Sequence, residues 1–167
     1  MEPLCSIECA STWLPTATRS KQVTPFTTKL RHEQTRDVKS SIIEIIKEGK
    51  SDETWSVEIA EPMNDIKETH SKTVTHLLSL VSFARNIETE SPIIVLSRDG
   101  AALCGVFCAV YNLIQQLTMD EEIDVFSVVR LLQTRRLELC STLEEYQLIQ
   151  EALQSYIKSC ENIYYNQ

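Results

Sequence analysis

The hydrophobic positions of this chain follow a strand-like period in the first half and a helical period in the second. Apolar residues alternate from Thr54 to Ile59, and an isoleucine-rich run covers Ser41 to Lys47. The segment Glu48 to Ser51 between them is polar and contains a glycine, which is typical of a hairpin turn. A further short strand is expected near Phe26 to Leu30. The first half therefore predicts antiparallel strands.

From Thr73 onward, apolar residues recur every three or four positions, which predicts amphipathic helices. The first two stripes are Val74, Leu77, Leu78, Val81 and Ala84, then Val106, Ala109, Val110, Leu113, Ile114 and Leu117. Asp124 is expected to cap a third helix, whose inward residues are Val125, Val128, Val129 and Leu132. Thr142 to Glu145 has the pattern of a capping box. It predicts a last helix with Tyr146, Ile149, Leu153, Tyr156 and Cys160 inward.

A short, wholly apolar run from Ile93 to Leu96 predicts a central strand buried on both faces. Strands followed by helices indicate an α/β fold of the mixed α+β kind. The expected organisation is a single domain over residues 1–167, strand-rich over 1–66 and helix-rich over 67–163.

The composition excludes several function classes. A length of 167 residues and a hydrophobic content of 43% suit one packed domain. The net charge of −8 argues against nucleic-acid binding, which needs clustered Lys and Arg. No apolar run approaches membrane-spanning length, and the start at Met1 lacks signal-peptide features. The expectation is a cytoplasmic protein without membrane insertion. His32, His70 and His76 are interpreted as surface or loop residues.

The cysteines predict neither disulfides nor a metal site. The six are Cys5, Cys9, Cys104, Cys108, Cys140 and Cys160. None forms a Cys-x-x-Cys pair, and no histidine has a zinc-like spacing from them. Cys104 and Cys108 share a face of the second helix, and we interpret them as buried small apolar residues. No metal and no cofactor is expected.

A loop that joins the apolar run to the second helix is the most informative motif. A strand, a glycine-containing loop and a helix N-terminus form a layout that can hold phosphate. The loop is Ser97, Arg98, Asp99, Gly100, Ala101, Ala102, Leu103, Cys104 and Gly105. It resembles the signature loop of the protein tyrosine phosphatases, which reads His, Cys, five residues, Arg, Ser or Thr, and Gly. Here those positions are Leu96, Ser97, Leu103, Cys104 and Gly105.

The resemblance extends from about residue 9 to 157. It includes Trp13-Leu14-Pro15, the Asp124-Val125-Phe126 helix opening and the segment from Ser141 to Tyr146. It looks most similar to the membrane-distal second domain of receptor-type phosphatases, which is often inactive. The resemblance implies a twisted sheet flanked by helices. The family's N-terminal third, which grips the phosphotyrosine ring, has no counterpart here, so the chain is expected to be a partial domain.

Four positions that carry catalysis in the family are changed. Ser97 replaces the thiolate nucleophile, and Leu103 replaces the arginine that clamps the phosphate. Met63 falls where the general acid is expected, and Ser141 replaces the water-positioning glutamine. Asp65 could act as the acid only if its loop shifted. Asp99 adds a negative charge where a phosphate dianion would bind, and Arg98 lies in the wrong register to compensate.

We therefore expect a catalytically inactive phosphatase-like domain that serves as a regulatory or interaction module. By resemblance, its partner would be an active phosphatase domain or a phosphotyrosine signalling protein, and it would be the cytoplasmic part of a receptor. Two alternatives stay open: a phosphatase with residual activity, and a non-functional fragment. A serine hydrolase is disfavoured because Val95 and Asp99 occupy the glycine positions of a nucleophile elbow. Uncovered apolar surface is expected to cause self-association.

Overall fold

The chain has a mixed α/β fold in a computed structural model that describes residues 15–16, 20–63, 70–89, 91–120 and 122–165. It divides into two compact units, Met1–Asp65 and Ile66–Gln167. The described residues form four strands and then four helices. The helices and the strands near Phe26, Ser41 and Thr54 lie where the pattern predicts them, whereas the short strand Lys21–Val23 was not predicted. Trp13, Asp65, Cys5 and Cys9 lie outside the described residues.

The first unit contains an antiparallel sheet of four strands in the order β1-β2-β3-β4. Their bounds are β1 Lys21–Val23, β2 Phe26–Thr35, β3 Val38–Lys47 and β4 Lys50–Pro62. Each strand pairs with the next through a short turn, and Gly49 supplies the positive φ of 79° that the β3–β4 turn requires. The predicted hairpin is thus confirmed, although its strands extend beyond the apolar runs that indicated them.

Cross-strand pairing places apolar residues of neighbouring strands directly opposite one another. Leu30 pairs with Ile43, which in turn pairs with Val57. Two residues further along β3, Ile45 pairs with Trp55. The Trp55 ring contacts the Phe26 ring edge-on, with 6.3 Å between the two ring centroids. Ile43 is buried, whereas Trp55 and Val57 are exposed. The sheet face is therefore only partly covered.

The second unit consists of helices α1 His70–Asn86, α2 Ala102–Asp120, α3 Val125–Arg135 and α4 Leu143–Tyr165. The predicted stripes form its core: Val81, Val106, Ala109, Val110, Leu113, Ile114 and Ile149 are almost completely buried. Leu148 and Ala152 also belong to this core, although the periodicity did not single them out. His32 is exposed on β2, but His76 is half-buried within α1, so its interpretation as a surface or loop residue was wrong.

Both predicted caps are confirmed. The Asp124 carboxylate accepts a hydrogen bond of 2.9 Å from the Ser127 N–H at the start of α3. At the start of α4, Glu145 N–H donates to the Thr142 hydroxyl and Thr142 N–H donates to the Glu145 carboxylate, each at 3.2 Å. These bonds satisfy N–H groups that a helix end leaves without partners.

The helix α2 is long and apolar enough, by length and composition, to cross a membrane. Its apolar stripe nevertheless packs against α1, α3 and α4 residues in the core. Its sequence is therefore explained by its place as the central helix of this unit. Central core helices of globular domains are often as long and apolar as membrane-spanning helices.

The predicted central strand at residues 93–96 was wrong. Residues 92–97 form neither helix nor strand, and the side chains of Ile94 and Leu96 are 79% and 75% exposed. A strand needs a neighbouring strand with which to exchange hydrogen bonds. The described residues of this unit include no such strand, so the apolar run leads into the loop without regular secondary structure.

Candidate functional site

The loop from Ser97 to Ala101 is held in shape by the carboxylate of Asp99. One carboxylate oxygen, Oδ1, accepts hydrogen bonds from the Ser97 hydroxyl at 3.1 Å, from Ala101 N–H at 2.9 Å and from Ala102 N–H at 3.2 Å. The hydrogen bond from Ala101, assisted by those from Ser97 and Ala102, lowers the pKa of the Asp99 carboxyl. Asp99 therefore stays ionised and caps the start of α2.

Gly100 makes the sharp turn that returns the chain to this carboxylate. Its φ of 65° lies in the left-handed region, which glycine adopts without strain. Its N–H donates to the Ser97 carbonyl at 3.3 Å. The turn therefore directs the Ala101 and Ala102 N–H groups toward Asp99, which occupies the donors that an external anion would use.

Arg136, just after α3, binds the backbone carbonyls of the same loop. Its guanidinium donates to the Gly100 carbonyl at 2.8 Å and to the Asp99 carbonyl at 3.3 Å, and its Nε donates to Glu138 at 3.3 Å. Within the loop sequence itself Arg98 is the only cation, so Arg136 was not among the predicted site residues. The sequence offers no local signal for it, because the contact joins residues that are 36 positions apart.

A tight contact joins the first turn of α2 to the turn after α3. A Cβ added to Gly105 would lie 2.9 Å from the Cys140 backbone nitrogen and 3.2 Å from the Leu139 Cα. Cys140 itself has a φ of 51°, which is unusual for a residue with a side chain. Gln133 supports this turn by donating to the Cys140 carbonyl at 3.3 Å. Gly105 is thus required by packing.

The described cysteines are free thiols. Cys104 and Cys140 are buried, and the Cys104 thiol donates to the Val95 carbonyl at 3.5 Å. Desolvation raises the pKa of Cys140 to about 11, with help from the charge of Glu145, and burial also raises the pKa of Cys108. A raised pKa keeps a thiol protonated and unreactive. The prediction of a buried residue is confirmed for Cys104, whereas Cys108 is half-buried.

The remaining predicted site positions are spread over both units. Leu103 is exposed on the first turn of α2, and Arg98 is exposed in the loop. Ser141 is exposed just before the Thr142 cap, and Met63 is exposed directly after β4 in the first unit. Within the part of the chain that the structure describes, no group of three His, Cys, Asp or Glu side chains has a metal-binding arrangement.

The chemistry of the loop follows from these contacts. The Ser97 hydroxyl donates to a carboxylate whose pKa is lowered, and such a carboxylate is a weak base. Leu103 offers no hydrogen-bond donor to a phosphate, and the Arg136 guanidinium is bound to backbone carbonyls. The loop is arranged to stabilise itself through its own carboxylate.

Comparison with known proteins identifies the fold and the family. A sequence model of the family described as protein-tyrosine phosphatase matches residues 4–155. The chain belongs to the protein-tyrosine phosphatase family. Its fold is similar to the catalytic domain of human protein tyrosine phosphatase non-receptor type 18, with a TM-score of 0.68 and 20% identity. That similarity covers 85% of this chain and 52% of the other, so the chain spans about half of that phosphatase domain.

Curated relatives of the phosphatase family match more locally. The chain is 35% identical over 65 residues to human receptor-type tyrosine-protein phosphatase C, which is 39% of this chain and 5% of the relative. It is 29% identical over 84 residues to human receptor-type tyrosine-protein phosphatase alpha, which is 48% of this chain and 10% of the relative. The family resemblance stated from the loop is thereby confirmed.

Proposed function

We propose that this phosphatase-family chain is catalytically inactive and acts as a regulatory or interaction module. The observation that carries the proposal is the Asp99 carboxylate, which accepts from Ser97, Ala101 and Ala102 at the start of α2. A phosphate dianion at these donors would have to displace Asp99 and would be repelled by it. A loop that binds its own carboxylate is poorly suited to bind a phosphate ester.

The residues that flank this carboxylate support the proposal. A phosphotyrosine phosphatase needs a thiolate nucleophile, a cation on the phosphate oxygens and a general acid. Ser97 supplies an alcohol that is scarcely ionised at neutral pH, and Leu103 supplies no charge. Charge-assisted hydrogen bonds are worth roughly 1.5–3 kcal/mol each, so the loss of an arginine fork weakens phosphate binding strongly.

The relatives support a proposed biological setting for the chain. Several curated relatives are receptor-type phosphatases. The changes at Ser97 and Leu103 are of the kind expected in an inactive second domain of such a receptor. In that role the chain would lie in the cytoplasm, as the cytoplasmic part of a receptor. Its partner would be an active phosphatase domain or a phosphotyrosine signalling protein.

The test is hydrolysis of p-nitrophenyl phosphate and of a phosphotyrosine peptide by the purified full chain. We expect no turnover above a heat-denatured control. Uncatalysed phosphate-monoester hydrolysis is among the slowest reactions known, so even weak catalysis would be visible. Turnover that Ser97→Ala abolishes would overturn the proposal and favour the alternative of residual activity.

A further inference from the structure

The outward face of α3 exposes large apolar side chains beside arginines. Phe126 is 65% exposed and Leu131 is 63% exposed. The opposite face of the helix packs on the core through Val129, with Val125, Val128 and Leu132 beside it. We define the α3 outer face by its exposed residues, which are Phe126, Ser127, Arg130, Leu131, Thr134 and Arg135. Packing against the core accounts for the apolar residues on one face of α3, but not for Phe126 and Leu131 on the other face.

The charge of this segment is opposite to that of the chain. The chain carries 24 acidic and 16 basic residues, yet residues 125–137 contain three arginines and neither Asp nor Glu. The two acidic residues that directly flank this segment are already engaged: Asp124 caps the helix, and Glu138 pairs with Arg136. Among the described residues, Arg130 and Arg135 form no ion pair. The α3 outer face is therefore a local positive surface on an acidic protein.

The arginine and the aromatic ring form one preorganised unit. The Arg130 guanidinium carbon lies 5.9 Å from the centroid of the Phe126 ring, within cation–π distance. Aromatic and arginine side chains are enriched in the residues that dominate binding energy at protein interfaces. Arginines that have no acidic partner select an acidic ligand, because complementary charge speeds association and rejects basic competitors.

We infer that the α3 outer face docks an acidic protein segment that carries bulky apolar side chains. The apolar side chains of that segment would pack on Phe126 and Leu131, and its carboxylates would pair with Arg130 and Arg135. The inference rests on the proposed interaction role, since it specifies where and with what chemistry a partner binds. The apolar anchors give affinity, and the arginines give selectivity.

The probe is a synthetic amphipathic peptide of about 15 residues, with Leu and Trp on one face and Glu beside them. One control peptide replaces Glu by Lys, and another replaces Leu and Trp by Ser. Binding to the full 167-residue chain is measured by tryptophan fluorescence and by NMR shifts. Because Phe126 and Arg130 are exposed, Phe126→Ala and Arg130→Glu should leave the thermal unfolding curve unchanged.

Leu143→Ala is the matched control, because Leu143 is 68% exposed but lies beside Glu144 and Glu145. We expect the acidic amphipathic peptide alone to bind, with shifts on α3. Phe126→Ala and Arg130→Glu should each weaken binding about tenfold or more, the range of an interface anchor, and Leu143→Ala should not.

Several results would overturn the inference. The first is failure of the acidic amphipathic peptide to bind. Equal binding of the Lys peptide would mean non-specific apolar binding, and equal binding of the Ser peptide would mean non-specific polyanion binding. Dimerisation through Phe126 without peptide binding would assign the face to a second copy instead. Each of these results is independent of phosphate hydrolysis, so failure of the docking surface is distinguishable from failure of the proposed inactivity.

Discussion

Arg136 and Gly100 are 36 residues apart in the chain and are joined by a 2.8 Å hydrogen bond from the guanidinium to the Gly100 carbonyl. The same guanidinium reaches the Asp99 carbonyl, so the residue after α3 holds the loop before α2. The shape of the signature loop thus depends on a distant side chain as well as on its own sequence.

Replacing Arg136 should loosen the loop without unfolding the helices. In Arg136→Met we expect faster hydrogen exchange at the Gly100 N–H. This N–H donates to the Ser97 carbonyl, and that hydrogen bond depends on the turn that Arg136 holds in place. The stability loss should be at most about 1 kcal/mol, because the guanidinium is half exposed and its interactions are screened. Arg135→Met is the control, and equal exchange in both variants would contradict the role assigned to Arg136.

Removing the Asp99 carboxylate should destabilise the start of α2. Asp99→Ala is expected to lower the free energy of unfolding by about 1 kcal/mol at pH 7, as for other helix-capping carboxylates. The pKa of Asp99 is lowered in the folded state, so its stabilisation is present above the usual carboxyl range and is lost as pH falls through the folded pKa. Urea unfolding should show the two proteins converging in acid; a constant difference would contradict this account.

Adding a methyl group at Gly105 should lower the free energy of unfolding more than the small size of the group suggests. Gly105→Ala places Cβ 2.9 Å from a backbone nitrogen, which cannot move aside as a flexible side chain can. Overpacking of this kind costs typically 1–3 kcal/mol, and we expect a loss in that range by urea unfolding. Leu103→Ala, an exposed change on the same turn, should have little effect. Equal stability of Gly105→Ala and the parent would show that the Cys140 turn yields easily.

Repair of the loop should not restore efficient catalysis. Ser97→Cys with Leu103→Arg returns the nucleophile and the cation, but Asp99 still occupies the amide donors and Met63 and Ser141 remain. Catalytic groups that act as a unit are strongly non-additive. We expect turnover of p-nitrophenyl phosphate well below that of an ordinary tyrosine phosphatase. A double variant that matches such an enzyme would show that those other positions matter little.

The exposed segment before the loop should promote self-association. Ile94 and Leu96 are among the most exposed large apolar side chains, and an exposed apolar segment is prone to associate with other copies of the chain. We expect the full chain to dimerise or aggregate in sedimentation velocity as its concentration rises. Ile94→Ser with Leu96→Thr should reduce that tendency. A monodisperse monomer at all concentrations would refute the expectation.

The sequence by itself determined the elements whose cause is local. Helical stripes such as Val106 to Ile114, the caps at Asp124 and Thr142, and the hairpin at Gly49 each depend on neighbouring residues, and all were predicted. The loop motif also gave the family. These features follow from periodicity and from hydrogen bonds that close within a few positions.

Only the tertiary structure decided what depends on distant contacts. The apolar run at Ile93 to Leu96 looked like a buried strand, yet burial requires partner strands that its own residues cannot supply. The Arg136 bond to Gly100 and the contact of Gly105 with Cys140 join segments more than 30 residues apart. Such contacts cannot be predicted from the local sequence, because they form only when packing of α2 and α3 brings the start of one helix next to the end of the other.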